Sequence, residues 1–104
     1  MIVVSIDYIP GKEIVETLGI ARGNSVRARN VGRDILAGLK NIVGGEVSEY
    51  TKLMADSREE AIERMVKDAQ QLGADAVINV RFMTSSVMTG ASEMLAYGTA
   101  VKIK

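Results

Sequence analysis

The apolar positions of this chain change period several times, and the changes divide it into elements. Residues 2–5 open with a β-branched run that predicts a short strand, closed by the Pro10-Gly11 pair. In residues 12–19, KEIVETLG, the apolar residues Ile14, Val15 and Leu18 fall at i, i+1 and i+4. That spacing predicts one face of a short helix, with Gly19 as its stop. Residues 20–29 carry a Gly23-Asn24 turn signal and then alternate polar with apolar, which predicts one strand or a bent hairpin. Arg22, Arg27 and Arg29 read as the solvated side of that strand. Residues 31–43 return to helical spacing through Ile35, Leu36, Leu39, Ile42 and Val43, and Gly44-Gly45 ends the run. Gly38 inside it costs about 1 kcal/mol against alanine, a cost that suggests close approach of another backbone.

The strongest pattern covers residues 47–72. Tyr50, Leu53, Met54, Ala61, Ile62, Met65, Val66, Ala69 and Leu72 form an apolar stripe that stays in phase past Asp56. One long helix is therefore expected rather than two, although Ser57-x-x-Glu60 has the form of a capping box. Glu60–Arg64, Glu63–Lys67 and Arg64–Asp68 are i, i+4 pairs on its wet side, and Gly73 stops it. Residues 75–82, DAVINVRF, alternate as a strand does. Residues 84–92 are rich in Ser, Thr and Gly and read as a loop or hairpin turn. Residues 94–103 form a second long β segment, where Gly98 suggests a bulge or a tight contact. No internal repeat or linker interrupts the chain, so residues 1–104 are expected to be one domain. The order of elements predicts a small α+β fold, a mostly antiparallel sheet with helices packed on one face.

Composition narrows the chemistry. The chain has 104 residues, no Cys, no His and no Trp, with 13 basic and 13 acidic side chains that cancel. Disulfides, thiolate metal sites and cysteine nucleophiles are excluded. So are the commonest general acid/base and the commonest transition-metal ligand. The balanced charge gives no field for nucleic acid or an anionic membrane. The densest basic stretch, Arg22, Arg27, Arg29 and Arg33, has no interleaved aromatics. No apolar run approaches the ~20 residues that span a bilayer, and the N-terminus lacks a basic signal-peptide region. A cytoplasmic location is expected. With 47% apolar residues but only three Tyr and one Phe, the core must be filled by aliphatic side chains and by the six Met.

Candidate functional residues are few. The chain has neither GxGxxG nor GxxxxGK[ST], and Gly44-Gly45 ends a predicted helix rather than opening one. Glu46 with Glu49, and Glu59, Glu60 and Glu63, are the carboxylate groupings; oxygen-only ligands would suit Mg²⁺ or Ca²⁺. Thr84, Ser85 and Ser86 supply hydroxyls with no histidine to activate them, leaving only a formal pairing with Lys102 or Lys104. Asp34, following Arg33, suits the start of a helix through its dipole. Glu93 stands between a small-residue loop and an apolar strand, where a buried carboxylate would need a partner. Arg33, Asp34 and Glu93 are the candidate ligand-binding residues. No catalytic residue, resident metal or cofactor is predicted.

Three segments taken together carry a family pattern: RDILAGLKNIVGGE (33–46), EYTKLMADSREEAIERM (49–65) and GADAVINVRFMTSSVMTGASEMLAYGTAVKI (73–103), preceded by VRARN (26–30). Jointly they resemble the YbjQ-like family of small uncharacterised proteins, often labelled a "putative heavy-metal-binding" domain. The resemblance covers essentially the whole chain. It implies a small α+β subunit, YbjQ-like or dodecin-like, of a ring oligomer, a homopentamer whose strands help assembly. It implies no established enzyme activity. The family pattern places Gly at the position of Asn79 and Arg at that of Glu46, so both positions differ in polarity here.

Assembly also follows from the residues themselves. Two long β segments with little aromatic bulk leave sheet edges to cover, and a closed cyclic oligomer covers them by pairing between copies. The expectation is a non-enzymatic, self-associating binding or scaffold protein, with a small ligand held at a subunit interface. The alternatives are a metal-ion-binding protein and an enzyme with a carboxylate-based site at that interface.

Overall fold

The computed structural model describes residues 1–27, 48–88 and 91–104. Its elements are β1 (Ile2–Val3), β2 (Ile14–Arg27), helix α1 (Ser48–Gln71), β3 (Ala76–Met88) and β4 (Ala91–Ile103). The four strands form one mixed sheet in the order β1-β3-β4-β2. The β3–β4 and β4–β2 pairs are antiparallel, and β1 runs parallel to β3. The α+β class and the helix on one face agree with the sequence reading. The predicted helix over residues 31–43 lies outside the described residues, as do Gly38 and Gly44-Gly45.

α1 is a single helix through Asp56, as its in-phase stripe predicts. Ser57 is therefore no N-cap. It lies in mid-helix and is buried. The helix ends at Gly73 (φ +82°), where the Gly73 N–H donates to the Gln70 carbonyl and the Ala74 N–H to the Ala69 carbonyl. These two bonds satisfy carbonyls that a helix end leaves open.

Residues 14–19 are not a helix but the first half of β2. Two register shifts against β4, between Ile14 and Glu16 and between Thr17 and Gly19, each insert an extra residue into β2. Bulges of this kind break the alternation of a strand. Here they place Ile14 in one core and Leu18 in the other, and they produce the i, i+1, i+4 spacing that imitates a helix. The Gly23-Asn24 turn signal is also overridden, since β2 continues unbroken to Arg27. The stretch read as a loop or hairpin turn at 84–92 is mostly the two antiparallel strands themselves: β3 extends to Met88 and β4 begins at Ala91, and residues 89–90 between them lie outside the described residues.

The sheet has a core on each face. On the helix side, Ala61, Met65 and Ala69 of α1 pack on Ala21, Val77, Val80, Met94, Ala96 and Ala100. On the other side, Ile9 covers Ala76, Ile78 and Val101, flanked by Val4, Ile14 and Ile103. The N-terminal segment is held there by backbone bonds from Val4 N–H to the Val77 carbonyl and from Asn79 N–H to the Ile6 carbonyl.

A bulge separates the two halves of β3. Ile78 pairs with Thr99 and Arg81 with Tyr97, so Asn79 and Val80 together oppose Gly98. Asn79 has φ +55°, a left-handed conformation that only Gly and a few short polar residues accept readily. The bulge leaves Val77 and Val80 on the same face, in the helix-side core. Gly98 is needed opposite it, because a Cβ there would lie 2.7 Å from Val77 Cγ1 and 2.8 Å from the Ile78 carbonyl oxygen. The tight contact suggested by Gly98 in the sequence is therefore present.

Candidate functional site

Among the described residues β2 is an outer strand, and α1 lies against it. The approach is close enough that a Cβ on Gly23 would meet backbone atoms of Ala61 and Met65 at 2.3 Å. With the helix at that distance, its polar side chains reach the free hydrogen-bonding edge of β2. The Arg22 N–H donates to Asp68 Oδ2 at 3.0 Å. Arg64 Nη1 donates to the Asn24 carbonyl, while Nη2 pairs with Glu60 Oε1 at 2.9 Å. The buried Ser25 hydroxyl donates to Glu60 Oε1 at 3.2 Å. Side chains of one helix thus satisfy part of a sheet edge that would otherwise offer unpaired backbone groups to another chain.

Along this seam lies an open groove of about 360 Å³, walled by Arg22, Asn24, Arg64, Lys67, Asp68 and Gln71, with Gly23 at its base. Arg22 and Asn24 alternate with Gly23 and Ser25, which face α1, so their side chains leave on the opposite face of the sheet, and the groove takes its side chains from Arg64, Lys67, Asp68 and Gln71 of the helix. Arg64 is already held by Glu60 and the Asn24 carbonyl and Asp68 by the Arg22 amide, which leaves Lys67 and the Gln71 amide beside them.

The residues singled out in the sequence are placed differently. Arg33 and Asp34 lie outside the described residues. Glu93 sits on β4 opposite Val26 of β2 and Ser85 of β3. Its neighbour Met94 is buried under α1, so Glu93 points to the other face of the sheet. There its Oε2 accepts a hydrogen bond from Asn24 Nδ2 at 3.0 Å. Glu93 is partly exposed, outside the groove, and tied to a neighbouring strand. Asn24 meets both features, with its carbonyl on Arg64 and its amide on Glu93.

The groove residues were not identified as a site from the sequence. Of the three predicted i, i+4 pairs, Glu60–Arg64 forms, and Asp68 turns instead to the Arg22 amide. The usable signal was Gly23. A glycine inside a strand marks close approach of another backbone, and the helix charges facing it are the groove walls.

A second feature is apolar. Ile20, Val26 and Met83 point away from α1 and are 67%, 55% and 56% exposed. Phe82, on the helix side of β3, is 46% exposed. Beyond Val80, β3 has no strand on its outer side among the described residues.

Metal chemistry can be judged from the donor set. The chain has neither Cys nor His, and no group of three potential ligands gathers among the described residues. Soft heavy metals favour thiolate and imidazole, and these residues do not fit them. No helix among the described residues is long and apolar enough to cross a membrane.

The fold and the two surfaces define a small α+β protein in which, among the described residues, one helix seals one border of a four-stranded sheet. The chain belongs to the YbjQ-like family, whose model, described as "Putative heavy-metal-binding", matches residues 1–104. A "UPF0145 protein" of Methanosarcina acetivorans is 60% identical over 103 residues, covering 99% of this chain and 97% of that protein. One from Archaeoglobus fulgidus is 58% identical over 104 residues, covering 100% and 96%. A bacterial relative, "UPF0145 protein VP1283" of Vibrio parahaemolyticus, is 54% identical over 103 residues, covering 99% and 98%. A crystal structure of a DUF74 family protein of unknown function from Pediococcus pentosaceus has the same fold. Its TM-score is 0.66 at 17% identity, covering 100% of this chain and 98% of that one.

Proposed function

We propose that this protein is a non-enzymatic binding or scaffold subunit that works as a closed homo-oligomer in the cytoplasm. The observation that carries the reading is the exposure of Ile20, Val26 and Met83 on the sheet face away from α1, and of Phe82 on the other face. Large apolar side chains left exposed in this way favour burial against a partner. Shape supports it as well. The radius of gyration is 16.9 Å, against about 13 Å for a compact chain of 100 residues. A subunit this extended leaves long arms that sister copies can cover. The outer side of β3 suits strand pairing with a second copy, and a heterologous contact repeated around an axis closes into a ring. Five subunits is the number that the family resemblance suggests, with a small ligand held where subunits meet. Size-exclusion chromatography with light scattering tests the reading. A stable multiple of the 11.2 kDa subunit at micromolar concentration is expected, and a monomeric mass there would overturn it.

A further inference from the structure

We propose that residues 31–43 of one copy dock on the open sheet face of a second copy, an inference that rests on the oligomeric reading above. The face away from α1 is covered over only part of its length. The N-terminal segment closes its proximal part, where Ile9 packs on Ala76, Ile78 and Val101, and its hold ends where the Arg81 guanidinium donates to the Ser5 carbonyl. Beyond that point the cross-strand rows Arg22–Tyr97–Arg81, Asn24–Leu95–Met83 and Val26–Glu93–Ser85 carry no second layer among the described residues. β4 is a central strand, yet its Leu95 and Tyr97 are only half-buried, beside the exposed Ile20, Val26 and Met83. From Ile20 to Val26 the patch is about 20 Å long, and three strands make it about 10 Å wide. Those are the dimensions of a short helix: residues 31–43 wound as one would be about 20 Å long and about 10 Å across. These residues lie outside the described ones, and their Ile35, Leu36, Leu39, Ile42 and Val43 fall on one helical stripe.

Chain length decides which copy supplies the segment. Arg22, Asn24 and Ser25 meet Asp68, Arg64 and Glu60 in turn, so α1 runs antiparallel to β2. Glu60 stands level with Ser25, and α1 begins at Ser48. At helical and extended rises, Ser48 lies about 18 Å from that level and Arg27 about 7 Å, so α1 starts about 11 Å beyond the end of β2. A segment folded back over its own sheet, from Arg27 toward Ile20, would finish about 31 Å from the level of Ser48, whereas the link from Val43 to Ser48 reaches at most about 17 Å. Laid the other way it would begin beside Ile20, about 20 Å back along β2, whereas the link from Arg27 to Val31 reaches about 14 Å. Neither direction lets a chain cover the whole of its own patch. The overhang of α1 instead draws the segment out past the end of the sheet, toward a neighbouring copy.

The chain has no cysteine, so introduced thiols report the contact without ambiguity. Chains carrying Leu39→Cys are co-expressed with chains carrying Val26→Cys, Leu95→Cys or Met83→Cys, purified and oxidised. For at least one of the three pairs a disulfide between two chains is expected, because thiols across a packed contact lie within bridging distance. It is read as a doubled mass without reductant, and mass spectrometry of the linked peptides identifies the residues joined. Lys102→Cys, on the helix side of β4, should give none with Leu39→Cys. Placing both thiols on one chain separates the two sources of the segment. A ladder of linked chains is expected, and a bond confined within each chain overturns the proposal, because the segment then covers its own sheet. Absence of any disulfide from Leu39→Cys to the three positions, alongside an oligomeric mass in light scattering, overturns it while leaving the oligomer standing. A monomeric mass overturns both.

Discussion

Single positions set the geometry that the rest of the molecule uses. Gly23 lets helix and strand meet backbone to backbone, and an added methyl group at 2.3 Å would force them apart. Gly23→Ala should lower stability by about 3 kcal/mol, the upper range for overpacking, as measured by chemical denaturation. The same variant should open the groove and lose the Arg22–Asp68 bond. Asn79 makes a different demand, since its φ of +55° excludes most side chains on conformational grounds. Asn79→Gly should leave the melting temperature nearly unchanged, whereas Asn79→Val should cost about 1–2 kcal/mol. The resemblance drawn from the sequence implies Gly at this position. Both residues tolerate the left-handed region, so the departure changes polarity without changing the backbone.

Elements were readable from the sequence to the extent that their patterns were local. α1 kept one apolar stripe over 24 residues, and its beginning, continuity and stop were all predicted. β4 and the start of β3 alternated as strands should. The first half of β2 did not, because two bulges within six residues displaced the apolar positions by one each time. A bulge is fixed by the partner strand, here β4, which lies some eighty residues further along the chain. Nothing in residues 12–19 alone distinguishes it from a turn of helix. The groove escaped sequence reading for a similar reason. Arg22 and Asn24 are separated from Arg64 and Asp68 by about forty residues or more, and only packing brings them together. Glu93 was expected to need a partner if buried; it is partly exposed, and its Oε2 accepts from the Asn24 amide of the neighbouring strand. The seal on β2 can be tested at this scale. Asp68→Ala removes the acceptor for the Arg22 amide, so native-state hydrogen exchange at that amide should accelerate. Global stability should fall by only about 1 kcal/mol, because the freed N–H can turn to water. Arg64→Ala should likewise release the Asn24 carbonyl, with the exposed Glu60 pair adding at most a few tenths of a kcal/mol.

At the scale of the molecule, the two long borders of the sheet are unlike. The β2 border is closed from within by α1. The β3 border carries β1 for two residues and then runs on beside exposed Phe82 and Met83. Such asymmetry suits a directional contact in which one copy's distal arm meets a different surface of the next. Met83→Glu and Val26→Glu replace exposed side chains, so each should change subunit stability by no more than about 0.5 kcal/mol. If the distal sheet is the assembly surface, the pair together should shift the mass in light scattering from oligomer to monomer. An unchanged mass would assign assembly to another surface.

The extra residue opposite Gly98 lets one strand count a residue more than its neighbour without disturbing what either shows to the outside. Paired residues share a face, so Arg81, Phe82 and Met83 look the way that Tyr97, Ala96 and Leu95 look. Deleting Asn79 would leave Val80 alone opposite Gly98 and restore plain alternation, with Phe82 still toward the helix and Met83 away from it. A one-residue deletion would thus erase the kink and its left-handed residue while preserving the outward chemistry of the whole strand.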